Sequence, residues 1–136
     1  MIVELPWPPK ELSPNARIHY LAKSRVTKAY REQAYWITKS AARDRFASDG
    51  AIRLSFAFCP PDRRRRDLDT MLSSVKAGID GIADALEVND VRFEYALRRD
   101  DPVKQGRVII SIAEACSQVS VDKVGSRFGD LPGKGA

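Results

Sequence analysis

The chain has 136 residues, 43% of them hydrophobic, and its 23 lysines and arginines against 18 acidic residues give a formal charge of +5. That is enough apolar material for one compact domain and too much for wholesale disorder, while no apolar stretch approaches the roughly 20 residues needed to span a bilayer, so no membrane partner is expected. Two cysteines and one histidine cannot complete a tetrahedral zinc site without carboxylates, which leaves carboxylates and lysine as the groups for chemistry. The moderately basic balance fits a nucleic-acid partner without requiring one. Met1 to Pro6 lacks a basic segment followed by a long apolar core, so no signal peptide is read and the cytoplasm is the expected location.

In chain order, Ile2 to Leu5 reads as a short strand stopped by Pro6, Pro8 and Pro9, which have no N–H to give a ladder. A loop from Leu12 to Arg25 carries Arg17, His19, Lys23 and Arg25. Thr27 is the expected cap of a helix running to about Phe46, with Tyr30, Ala34, Ile37 and Ala41 at helical spacing. Asp49-Gly50 ends that unit, and Ile52, Leu54, Phe56 and Phe58 alternate with Arg53, Ser55 and Ala57 as a half-buried strand. Leu68, Met71, Leu72, Val75, Ile79, Ile82, Ala83 and Leu86 form one apolar stripe at helical spacing and predict a single long helix. Phe93, Tyr95 and Leu97 predict a third strand, and Val108, Ile110 and Ile112 a fourth, after the Asp100-Asp101-Pro102 turn. From about Ser117 periodicity is lost. The expectation is an α+β domain over residues 1–116, in the order β-α-β-α-β-β with two main helices packed on a mixed sheet, followed by a flexible tail over 117–136. Cys59 and Cys116 read as small buried apolar residues, with a disulfide between them left open.

The residues that point to chemistry lie between the second strand and the long helix. Arg63, Arg64, Arg65 and Arg66 run directly into Asp67-Leu68-Asp69. Carboxylate oxygens suit a hard divalent cation and a cation run suits a polyanion, a pairing that phosphodiester hydrolysis requires. Each half has an ordinary reading as well: aspartates at a helix start cap it, and a charge run is commonly a solvated loop. Asp67 can share a metal with Asp69 only from the cap position or just before it. Lys76 falls within roughly 20° of Asp69 on the helix surface, about 10 Å further along, and should lean back toward it; it also has Asp80 four residues on and can simply pair with it. Asn89-Asp90 reads as a turn.

The string from Pro61 to Asp69, together with Leu5-Pro6-Trp7-Pro8-Pro9, Tyr30-Arg31 and Asn89-Asp90, resembles the RusA-type Holliday junction resolvases, small phage and prophage endonucleases, over most of residues 1–115. The resemblance implies a Mg²⁺-dependent (Mn²⁺ as a plausible substitute), homodimeric nuclease that resolves four-way DNA junctions in recombination and repair inside a bacterial host. By motif, Asp67, Asp69 and Asp90 are its catalytic aspartates and metal ligands. The family's Asn after the second aspartate is Thr70 here, and Ser73 occupies the place of its lysine, so Lys76 is the nearest candidate for that catalytic role. Arg63 to Arg66, with Arg17, Lys23, Arg25 and Lys28, are the expected contacts to branched DNA. A flap or branched-DNA nuclease and a junction-binding protein without activity are the alternatives. One geometric difficulty stands: a straight helix from Asp69 to Leu86 is about 26 Å long, and the four residues after it reach back at most about 14 Å. Asp90 therefore meets Asp69 only if the helix is shortened or a partner subunit supplies Asp90.

Overall fold

Alternating apolar residues make β2 (Ile52–Cys59) the centre of the sheet, with Ile52, Leu54, Phe56 and Phe58 all buried. The computed structural model describes residues 1–42 and 50–114; Cys116, the expected helix end at Phe46 and the expected tail lie outside them. Among the described residues the strands are β1 (Ile2–Pro6), β2, β3 (Phe93–Arg99) and β4 (Arg107–Glu114), and the helices are α1 (Tyr20–Ala41), α2 (Leu68–Ser74) and α3 (Lys76–Leu86). The strands form one mixed sheet in the order β1-β4-β2-β3. β1 and β2 each pair antiparallel with β4, whereas β2 and β3 are parallel. A parallel neighbour needs a crossover, and α2 with α3 is that crossover. The architecture is the expected one: a single-domain α+β fold with helices packed on a mixed sheet.

Val3, Leu5, Val108, Ile110 and Ile112 join the β2 residues in a core that Tyr30, Ala34, Val75, Ile79, Ile82 and Leu86 complete from the helices. Tyr30 ties α1 to the end of β1 by donating its hydroxyl to the Pro6 carbonyl at 2.7 Å. At Gly81, α3 approaches α1 so closely that an added Cβ would lie 2.2 Å from the Arg31 carbonyl oxygen.

Two local expectations are corrected. α1 begins seven residues before Thr27: His19 is the cap, its Nδ1 accepting from the Leu21 N–H, while the Thr27 hydroxyl bonds back to the Lys23 carbonyl inside the helix. Lys23 and Arg25 are accordingly helical rather than in a loop. At the other end, Ala42 turns to extended backbone, so the helix closes at Ala41.

The second correction matters more. The single stripe from Leu68 to Leu86 is carried by two helices that meet at Val75, whose φ and ψ of −99° and 4° leave helical geometry. Ser74 donates its hydroxyl to the Thr70 carbonyl at 2.9 Å. Such back-bonding competes with the backbone ladder and bends helices. Met71 and Val75 stay buried on both sides of the break, so the apolar pattern is satisfied without one straight axis.

Candidate active site

The arginine run follows β2 and Pro60-Pro61, and Asp62 organises it. Its Oδ1 accepts from the Arg64 backbone N–H at 3.0 Å and from Arg66 Nη1 at 2.9 Å. The bond from Arg66, then that from Arg64, hold the Asp62 carboxyl down at about 2. Arg66 is thereby fixed with only 18% of its side chain exposed, its guanidinium 5.6 Å from the centre of the Trp7 ring. Arg99 donates to the Arg66 carbonyl at 2.9 Å and fastens the loop to β3. Arg63, Arg64 and Arg65 remain exposed. The sequence offered no acidic run to neutralise these cations; a single carboxylate immediately before them does part of it.

Asp67 is the cap residue of α2, with extended backbone (φ −83°, ψ 146°) and no capping hydrogen bond from its side chain. Asp69 lies in the first turn, and its Oδ1 accepts from the adjacent Thr70 N–H at 3.0 Å. Both are exposed.

Beyond the break, Lys76 opens α3. Its Nζ donates to Asp80 Oδ1 at 2.7 Å and to Asp90 Oδ2 at 3.1 Å. Those bonds, Asp80's first, raise the ammonium's pKa against the opposing effect of burial. Asp90 begins a short 3-10 turn, Asp90–Arg92, which Asn89 caps by accepting from the Val91 N–H at 3.0 Å. Tyr95, two residues into β3, is close enough to feel all three charges: burial pushes its phenol up, Lys76 pulls it down, and Asp90 and Asp80 push it up again.

Lys76 and Asp90 are thus brought together within one chain. The expected lean of Lys76 toward Asp69 is not found; its ammonium is drawn the other way, because Asp80 one turn on and Asp90 supply two carboxylates on that side. The helical Lys76–Asp80 pair, weighed as the ordinary reading, is present. Asp80 as a full member of the cluster and Tyr95 beside it were missed. The spacing of four from Lys76 was the signal for Asp80; Tyr95 had none, since only the register of β3 against β2 places it.

Among the described residues no three histidine, cysteine or acidic side chains converge as a ready metal cage. The donor chemistry nonetheless fits magnesium, which takes carboxylate oxygens, keeps several waters and is commonly held by one or two carboxylates plus a substrate phosphate. Asp67, whose carboxylate caps no backbone N–H, and Asp69 beside it offer that set. Of the other expected DNA contacts, Arg17 is exposed ahead of α1, Arg25 and Lys28 are exposed on it, and Lys23 is half-buried there. No helix among the described residues is long and apolar enough to cross a membrane.

No family model matches the chain. It is 39% identical over 119 residues, covering 85% of this chain and 78% of the other, to an uncharacterized protein of Xylella fastidiosa (strain Temecula1 / ATCC 700964).

Proposed function

We propose that this chain, which belongs to one family with the Xylella fastidiosa protein, is a Mg²⁺-dependent, structure-selective endodeoxyribonuclease of the RusA resolvase type, cutting four-way DNA junctions in a bacterial cell. The observation that carries the reading is the grip of Asp80 and Asp90 on Lys76 at the far side of a helix break from Asp67 and Asp69. Asp67, Asp69, Lys76 and Asp90 are all exposed polar groups on the path that crosses from β2 to β3, where no core packing accounts for them.

Asp67 and Asp69 are the residues that would hold the ion, and Asp90, engaged by Lys76 within this chain, would join them only from a partner subunit; when bound the ion supplies a Lewis acid for a phosphate and makes water more acidic. The protein's own groups do the rest. Arg63, Arg64 and Arg65 hold backbone phosphates, contacts that read charge and shape rather than sequence. Lys76 keeps its proton and uses two of its three donors on Asp80 and Asp90, so the third is left for a phosphoryl oxygen whose charge grows during cleavage. Two symmetric cuts require two such sites about a two-fold axis, hence a homodimer.

The test is cleavage of a labelled mobile four-way junction beside a flap substrate, in Mg²⁺, Mn²⁺ or chelator. The wild type should cut the junction only with metal. Asp69→Asn should lose at least the roughly 10–100-fold typical of altering even a metal's outer-shell partners, while junction binding stays the same or tightens. A wild type that binds junctions and cuts no branched DNA in either metal leaves the binding-only alternative standing and removes the nuclease reading.

A further inference from the structure

A cleft of about 450 Å³ opens between the proline-rich turn after β1 and the arginine run. Its lining has two characters. One is flat and apolar: Trp7 with Pro8, Pro9 and Pro61. The other is cationic: Lys10, Arg64 and Arg65. Duplex DNA would use the cations alone, because its bases are hidden in the stack and have no face to set against rings. Rings beside guanidinium groups match an unpaired nucleotide, which has a bare π-face and a phosphate on one short unit. The volume falls in the range of small-molecule sites, roughly 300–1,000 Å³, and is room for one nucleotide.

The ring wall is built rather than incidental. Trp7 stands edge-on to Phe58, with ring centres 6.4 Å apart. Behind it, Gly106 takes a φ of +70°, and an added Cβ there would lie 2.9 Å from Trp7 Cβ, so the turn between β3 and β4 leaves space that only glycine leaves. Arg66, held by Asp62, lays its guanidinium over the same indole. Thr70, next to Asp69, is also part of the lining, so an occupant sits beside the proposed cutting site.

We propose that this cleft takes one unpaired nucleotide of branched DNA, its base against the Trp7 and proline wall and its phosphate on Arg64 and Arg65. The choice of DNA rests on the nuclease reading; the cleft's chemistry does not. The full chain in chelator, with Trp36→Phe as background so that indole fluorescence reports Trp7, is titrated with single-stranded pentathymidylate and with a blunt duplex long enough to stay fully paired. Single strands should quench Trp7 and the duplex should not. Ser13→Phe, which fills the cleft from the loop side, should weaken single-strand binding about tenfold, the scale of one base stack removed, and leave duplex binding within about twofold. An indole that ignores single strands, or quenches equally with duplex, overturns the proposal; so does a folded Ser13→Phe protein, checked by circular dichroism, that binds single strands as before. Should Ser13→Phe not fold, the Trp7 signal decides. A protein that quenches with single strands yet cuts nothing in Mg²⁺ keeps the cleft and loses the nuclease; one that cuts junctions without the quench loses only the cleft.

Discussion

Asp62 carries more of the arginine run's order than its position in a turn suggests, since it holds both Arg64 and Arg66 and, through Arg66, one face of Trp7. Its carboxyl sits at about 2 against an ordinary 3.8. A depressed carboxylate favours the folded arrangement fully above the unfolded value, and that contribution fades as pH falls from about 3.8 through about 2. Titration of the Asp62 side-chain carbon by NMR should therefore show a midpoint near 2, with the Arg66 side chain losing its ordered signal in the same range. A midpoint near 4 would mean that the clamp does not form in solution. Asp62→Asn keeps an acceptor and drops the charge, and should release Arg66 at neutral pH. Part of this level was legible: the cap position of Asp67 follows from pattern, and Asp67, Asp69 and Asp90 stand out by motif as candidates. What Asp62 does was not, because a carboxylate before a charge run looks like any turn aspartate until the backbone folds Arg64 and Arg66 back onto it.

The break at Val75 shows how one periodic stripe can be written across two helices. Buried side chains at Met71, Val75 and Ile79 satisfy the core on both sides, so hydrophobic spacing alone cannot reveal the change of axis. Gly78 and Gly81 lie inside α3, away from the break. Their role is the close approach of α1. Gly81→Ala would drive a Cβ into the Arg31 carbonyl and to 3.0 Å from the Tyr35 backbone nitrogen. Neither backbone atom can swing aside, so the substitution should destabilise by about 1–3 kcal/mol in urea unfolding, despite alanine's better helix propensity. Gly78→Ala meets side-chain ends of Leu5 and Tyr30 at 3.0 Å and should cost less. Equal stability of Gly81→Ala and wild type would contradict the α1–α3 packing.

Sheet order decides which ends of the chain meet. β1 and β4 close one side, where the Ile112 N–H donates to the Met1 carbonyl at 2.7 Å, and the parallel pairing of β2 with β3 puts the end of β2, the arginine run and Arg99 together. The exposed arginines then lie on a body of formal charge +5. On the proposed function, junction affinity should fall with salt, and replacing Arg63 and Arg65 together by alanine should lower the log–log slope by about 2, one for each phosphate no longer neutralised. An unchanged slope would take both residues off the DNA. The sequence by itself determined the four strands, the amphipathic stretches that become helices and the α+β class, and it named candidates for chemistry, because side-chain periodicity and motif spacing are local properties of the chain. Only the tertiary structure decided that the crossover helix breaks, that Lys76 turns to Asp80 and Asp90 rather than Asp69, and that Trp7 and the arginines face one cleft. Those meetings depend on strand register and helix axes, which are fixed by contacts between residues far apart in the chain and leave no periodic trace within it.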